Sequence, residues 1–247
     1  MTASPSGRSL VVLALVAIGL VVSAPRAADA DTTYGWIAVD LGVWAGGPPK
    51  QVRFVGRVST LPRMLEDEMR GTVWKPGCPV PLDDLRLLTL SYWGFDDQPH
   101  IGPLVVNASV ATRLVWVFHR LFDHRFPIHN MKLAREFHPN QTVHDTPGDP
   151  TAAFNCRPVV TPAGPSDVFS QHAYGLAVDI NPIENPFVEH GYVRNRYSKP
   201  YRDRSKDAPG MIHDDDFVVR TFAAIGWGWG GHWVSGQDYM HFSRSGT

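Results

Sequence analysis

The chain has 247 residues, 43 % of them hydrophobic, and a formal net charge of −1. Such a length suits one domain of moderate size with a possible appendage. The near-balanced charge leaves no electrostatic footprint for nucleic acid, which is excluded as the main partner.

The N-terminus has the build of a secretory signal. Arg8 supplies a short positive region, Leu10 to Val22 is an uncharged apolar run, and Ala28-Asp29-Ala30 forms a small-x-small cleavage pattern. Residues 1–30 are expected to be removed. The apolar run is short for a membrane span, which needs about 20 residues; an uncleaved anchor is the other reading. In either case the body of the protein is exported, to the cell wall or periplasm. No second apolar run is long enough to span a bilayer, so no stable membrane span is expected after signal cleavage.

Residues 31–69 read as a linker or accessory segment. "TYGWIAVDLGVWAGG" has strand-like stretches, "GGPPK" breaks them, and "LPRMLEDEM" fits one short helix. From residue 70 onwards the pattern is that of a single domain. "LRLLTLSYWGF" and "GPLVVN" read as strands joined by the turn-rich "DDQPHI". Asn107 or Ser109 offers a helix N-cap, and Val110, Leu114, Val117, Phe118 and Leu121 recur at helical spacing up to a stop before Pro127. His119 and His124 on that helix read as surface or packing residues.

Residues 138–168 form a long polar stretch with "FNCRPVV" as a short strand inside it. A second long loop, residues 184–212, carries Arg194, Arg196, Lys199, Arg202, Arg204 and Lys206. It is either a solvated loop or a contact for an acidic polymer or a substrate carboxylate. "DDDFVVRTFAAIGW" reads as a helix opened by acidic residues and closed by Gly226. The cysteines are Cys78 and Cys156 alone. In an exported chain an even count suggests a disulfide, worth roughly 4 kcal/mol for a loop of about 80 residues; two buried thiols are the alternative.

The chemistry concentrates in "SQHAYGLAVDINP", residues 170–182. As a strand from Gly175 to Asn181 it would point Leu176, Val178 and Ile180 into a core. Gly175, Ala177 and Asp179 would share the other face, bare apart from one carboxylate. His172 precedes the strand and can fold back towards Asp179 across the turn at Gly175. A catalytic zinc usually takes three protein ligands. His241 in "DYMHFS" is the best third candidate, and Asp238, three residues earlier, can meet it on one side and act as a base. A buried His172–Asp179 hydrogen-bonded pair without metal is the alternative.

"SQHAYGLAVD" resembles the SxHxxGxAxD pattern of the zinc D-alanyl-D-alanine peptidases, a group of D,D-carboxypeptidases, vancomycin-resistance-type D,D-peptidases and L-alanyl-D-glutamate endopeptidases. Ser170, His172, Gly175, Ala177 and Asp179 match it. "GWGWGGHW" followed by "DYMHF" resembles the family's closing segment, and "GCPVPLDDLRLL" and "FNCR" resemble its exported carboxypeptidase-like branch. The resemblance spans roughly residues 70–247. It implies an α+β fold of the hedgehog/D,D-peptidase-like type, an antiparallel sheet with the metal site on one face and helices on the other. It further implies Zn2+ bound by His172, Asp179 and His241, with Asp238 as base. Many relatives carry glutamate at the base position, one methylene longer. An upstream arginine would hold the polarised carbonyl oxygen, with Arg157 the candidate and Arg135 its competitor. Ser170 and Trp233 are candidate substrate contacts. The implied function is hydrolysis of peptidoglycan stem peptides, first as a D-alanyl-D-alanine carboxypeptidase. An L-alanyl-D-glutamate endopeptidase with the same metal site, or a non-catalytic zinc-stabilised wall-binding module, are the alternatives.

Overall fold

The computed structural model describes residues 52–134, 150–161, 164–193 and 195–247. Residues 1–51, Arg135 and Arg194 lie outside them. The described residues form helices and mainly antiparallel sheets, an α+β arrangement.

The apolar-rich runs anticipated as strands become β2 (Leu85–Trp93) and β3 (Pro99–Asn107), which pair as a long antiparallel hairpin. The turn needs a tight reversal, met by Gly94 N–H donating to the Gln98 carbonyl at 2.8 Å and by Asp97 at φ 57°. A third strand, β1 (Gly56–Ser59), pairs with the other edge of β2. Helix α1 (Arg63–Met69) buries Leu65 and Met69. Residues 56–69 thus take part in the sheet and its packing, although the sequence reads as linker or accessory chain there.

Helix α2 (Ala111–Asp123) turns the stripe Leu114, Val117, Phe118 and Leu121 onto this sheet. Its N-cap is Val110, with no side-chain cap. The Asn107 side-chain oxygen accepts instead from the Ser109 N–H and hydroxyl, so the two expected caps bind each other before the helix begins.

The remaining elements are short. β4 (Asn130–Met131) and β5 (Pro150–Thr151) pair in parallel, and β6 (Pro158–Thr161) with β7 (Gly164–Phe169) makes a hairpin. Further along the chain come β8 (Ala177–Asp179), β9 (Phe187–Glu189), β10 (Tyr192–Val193), helix α3 (Phe217–Ala223), β11 (Gly228–Trp229), β12 (Gln237–Asp238) and β13 (His241–Ser243). These strands form two three-stranded sheets, ordered β11-β13-β8 and β10-β9-β12.

The single sheet expected to carry the site is therefore several small ones. The strand expected from Gly175 to Asn181 is cut to three residues. Left-handed backbone at both borders explains this: Gly175 has φ 66° and Asn181 has φ 47°. Gly175 is also tight, since a Cβ there would lie 2.6 Å from the Asn107 nitrogen, whose N–H donates to the Gly175 carbonyl at 2.9 Å. Val178 and Ile180 face the core as expected, but Ala177 is fully buried too. The face read as bare is therefore covered at this position, where Ala177 and its neighbour Ser243 on the paired strand β13 are both without exposure.

Candidate metal centre

His172 sits in the middle of a short 3-10 turn, Gln171–Tyr174. Ser170 caps that turn, its hydroxyl accepting from the His172 N–H at 3.3 Å. Gly175 ends it. The turn swings the imidazole over the end of β8, where Asp179 sits directly opposite His241 on β13. Paired residues on neighbouring strands share a face, so a two-strand ladder brings together side chains 62 positions apart in sequence.

The outcome is a triangle. His172 Nε2 lies 3.2 Å from Asp179 Oδ1 and 3.2 Å from His241 Nδ1, and His241 Nδ1 lies 3.1 Å from Asp179 Oδ1. Zinc bonds of about 2.0–2.1 Å in a tetrahedron separate neighbouring ligand atoms by about 3.3 Å. The triangle matches one face of such a tetrahedron. Among the described residues this is the one group of His, Cys, Asp or Glu that could hold a metal ion.

Proton accounting agrees. The His172 Nδ1–H donates to the Ala153 carbonyl at 2.6 Å, which leaves Nε2 as a lone pair aimed into the triangle. Two imidazole nitrogens and a carboxylate converge in this buried place, an arrangement that a shared proton or a cation between them stabilises. Burial alone would raise the Asp179 carboxyl. The His172 and His241 imidazoles together outweigh that and hold it well below the usual carboxylate range. The donor set of two imidazoles and a carboxylate suits zinc.

Asp238 lies on β12, beside this triangle but on the other small sheet. Burial, reinforced by the negative charge of Asp179, pushes its carboxyl up to about 7. His241 and Arg157 pull the other way. Asp238 Oδ1 and His241 Nε2 are buried without a hydrogen-bond partner among the described residues. Gly230 is what lets Asp238 and His241 crowd together: a Cβ there would stand 2.5 Å from the Asp238 carbonyl oxygen and 3.2 Å from the His241 Cβ.

Arg157 is close enough to act on the charge of Asp238, and its own carbonyl accepts from the Ser170 N–H at 3.1 Å. Its neighbour Cys156 is bonded to Cys78, with Cα atoms 5.9 Å apart, so the disulfide inferred from the cysteine count is present. Arg135 lies outside the described residues. The Trp233 ring is 5.3 Å from the His241 ring, at the edge of the triangle. Ser170 uses its hydroxyl on the His172 backbone. His232, exposed, pairs with Asp214 at 2.7 Å and stands outside the triangle.

Sequence reading alone misses the supports. Arg204 reads as one of several loop cations. It is half-buried and donates to the carbonyls of Glu184, Tyr201 and Ile212 and to the Asn185 side chain, and it lies 4.4 Å over the Tyr239 ring. Tyr239 separates Asp238 from Met240 and His241, so this guanidinium braces the closing segment. Asn181 and Asn185 do similar work at the end of β8, both donating to the Gly210 carbonyl. The two asparagines bracketing "PIE" in "INPIENP" are the available signal, because buried amides need several partners.

The triangle is a group that could hold a metal ion, with the buried carboxyl of Asp238 alongside. Residues 163–244 match the family model described as D-alanyl-D-alanine carboxypeptidase. That part of the chain is D,D-peptidase-like, and the match supports a peptidase acting on D-alanyl-D-alanine peptides. No curated protein and no solved structure gives a significant match.

Proposed function

We propose that the protein is a zinc-dependent D-alanyl-D-alanine carboxypeptidase acting on peptidoglycan stem peptides outside the cytoplasm. The observation that carries this reading is the 3.1–3.2 Å triangle of His172, Asp179 and His241 with Asp238 beside it. The signal-like N-terminus and the Cys78–Cys156 bond support export. The peptidase domain would begin near residue 52, since β1 pairs with β2 and α1 shares a core cluster with Leu85 and Val105.

Zinc, held by His172 Nε2, Asp179 Oδ1 and His241 Nδ1, would supply Lewis acidity at the scissile carbonyl and lower the pKa of water. The residues do the rest. Asp238, as a carboxylate, takes the proton of the attacking water and returns it to the leaving amine. Asp238 stands beside the proposed ligands, in reach of both halves of that task. Arg157 offers a fixed charge and planar donors to the oxygen on which negative charge develops. The Ala153 carbonyl holds His172 in the tautomer that keeps Nε2 free for the metal.

Digestion of purified muropeptides with the zinc-loaded protein tests the reading. Free D-alanine is the expected product, lost on chelation and regained on adding zinc. A cut between L-alanine and D-glutamate instead would make it the endopeptidase. No cleavage with zinc bound would leave the wall-binding module.

A further inference from the structure

One short run of chain, Ala152 to Arg157, backs the candidate metal centre. Ala152 and Asp179 exchange backbone hydrogen bonds at 3.1 and 2.9 Å. The Ala153 carbonyl accepts from the His172 ring, and the Asn155 N–H donates to the His172 carbonyl at 3.1 Å. Between them, the Phe154 N–H donates to the Val105 carbonyl of β3 at 3.0 Å. Two of the three proposed ligands thus rest on residues 152–155, which the long hairpin holds in turn.

The last two residues of the run are held differently. The Cys156 N–H donates to the Val73 carbonyl at 2.9 Å, and its sulfur is bonded to Cys78, 78 positions away in sequence. Val73 and Cys78 both lie on the turns that follow α1. Arg157 comes next. Its guanidinium donates to the carbonyl of its own neighbour, Pro158, a bond that does not tie it to the rest of the site. Its backbone is fixed by Cys156 on one side and by the bond from the Ser170 N–H on the other. Beyond it the chain leaves for the β6–β7 hairpin.

We propose that Cys78 and Cys156 are a redox-sensitive positioning pair for Arg157: the intact bond holds this residue at the metal centre, and its reduction lowers turnover while the metal stays in place. The inference rests on the carboxypeptidase reading for the role of Arg157 at the oxyanion. The two sulfurs differ in access. Cys156 is 7 % exposed, whereas Cys78 is half-buried on a surface turn, so a thiolate reaches the Cys78 sulfur first. With a dithiol as reductant, the first thiolate attacks Cys78 Sγ, the S–S bond breaks, and the Cys156 thiolate leaves and takes up a proton. The second thiol then displaces Cys78 from the mixed disulfide. Two electrons pass, the dithiol ends as a disulfide, and both cysteines end as thiols. The Lys75 N–H, which donates to Cys78 Sγ at 3.2 Å, stabilises the thiolate as it forms there. Among the described residues, Cys156 is then tied to the turn by its hydrogen bond to Val73 in place of a covalent link. The supports of His172 and Asp179 at Ala152, Ala153 and Asn155 involve neither sulfur.

The test compares zinc-loaded wild type, oxidised and reduced. A phosphine is the reductant, because a dithiol would compete for zinc; it becomes its oxide, with water supplying the oxygen and both protons. The Cys78→Ser/Cys156→Ser variant checks the same state without reductant. Releasing the loop also lowers the melting temperature, so rates are taken where near-UV circular dichroism stays native. The kcat for D-alanine release is expected to fall about tenfold, with KM changed less and zinc stoichiometry unchanged. In Arg157→Ala protein the same reduction should lower kcat no further, which a general loosening of the fold would do. In amide hydrogen exchange, Cys156 and Ser170 should lose protection while Asn155 keeps it. Loss of zinc or of the near-UV signal on reduction, an unchanged kcat in wild type, an equal fall in Arg157→Ala, or unchanged exchange at Cys156 and Ser170 would overturn the proposal. If the oxidised protein releases no D-alanine, the carboxypeptidase reading fails, and the exchange pattern still decides whether the bond holds this stretch of chain in place.

Discussion

His172, Asp179 and His241 hang on a strand ladder and its adjoining turn, whereas Asp238 and Arg157 hang on pieces of chain tied down from further away. Asp179 and His241 are directly paired across β8 and β13, and their backbones fix the spacing before any side chain is chosen. Asp238 depends on a two-residue strand, on the loop braced by Arg204 and on Gly230. Arg157 depends on the chain beside the disulfide. On the proposed reading, the ligand side has its geometry fixed by the strand ladder, whereas Asp238 as proton acceptor and Arg157 as oxyanion partner depend on their supports. Substitutions should separate the two.

His172→Ala or His241→Ala is expected to do the most damage. Each should abolish both zinc stoichiometry, measured by metal analysis, and D-alanine release. Full turnover in metal-free His172→Ala protein would sink the mechanism. Asp238→Ala should keep zinc and lower kcat by about 10²–10⁴-fold, the clearest division between the two sides. Arg157→Lys should also keep zinc, with kcat down by roughly 10²-fold and KM changed less, because it removes planar donors aimed at the developing oxyanion.

Arg204→Ala acts on the proposed base indirectly, through the stacked Tyr239 ring and through the chain at Glu184 and Asn185 that leads into β9. It should lower kcat with zinc retained, by less than Asp238→Ala, and a loss of zinc instead would show that the two sides share their supports. A further comparison concerns pH. The folded metal-free protein holds the Asp238 carboxyl at about 7, above its ordinary 3.8. The fold then binds the proton more tightly than the unfolded chain, so the stabilisation is complete below pH 3.8 and is lost as pH rises through about 7. Metal-free wild type should therefore lose thermal stability relative to Asp238→Asn between about pH 4 and pH 8. Parallel melting curves for the two would contradict it.

The same division decides what is legible in the sequence. The three proposed ligands and the proposed base lie in two short motifs, so the sequence singles them out as candidates and the structure brings them together; the long hairpin β2–β3 and helix α2 are legible because their periodicities are strong. The brevity of β8 is not visible, because it follows from left-handed backbone at Gly175 and at Asn181, a non-glycine residue. Nor is the splitting of one sheet into several, which depends on long-range register. The role of β1 and α1 is hidden because amphipathic pieces that short look alike whether they join a core or merely precede it. Arg204 is hidden by its neighbours: six cations in one loop look alike until one of them turns inward.

The β6–β7 hairpin leaves the chain at Arg157 and returns it at Ser170, and the bond from the Ser170 N–H to the Arg157 carbonyl joins the two ends. In design terms this makes the hairpin a closed detour. Its length is decoupled from the spacing between Arg157 and His172, and doubling a loop costs only about 0.6 kcal/mol. A tag, a reporter or a second binding module inserted in this hairpin would be attached within a few residues of the site without lying in the path of the strands that form it.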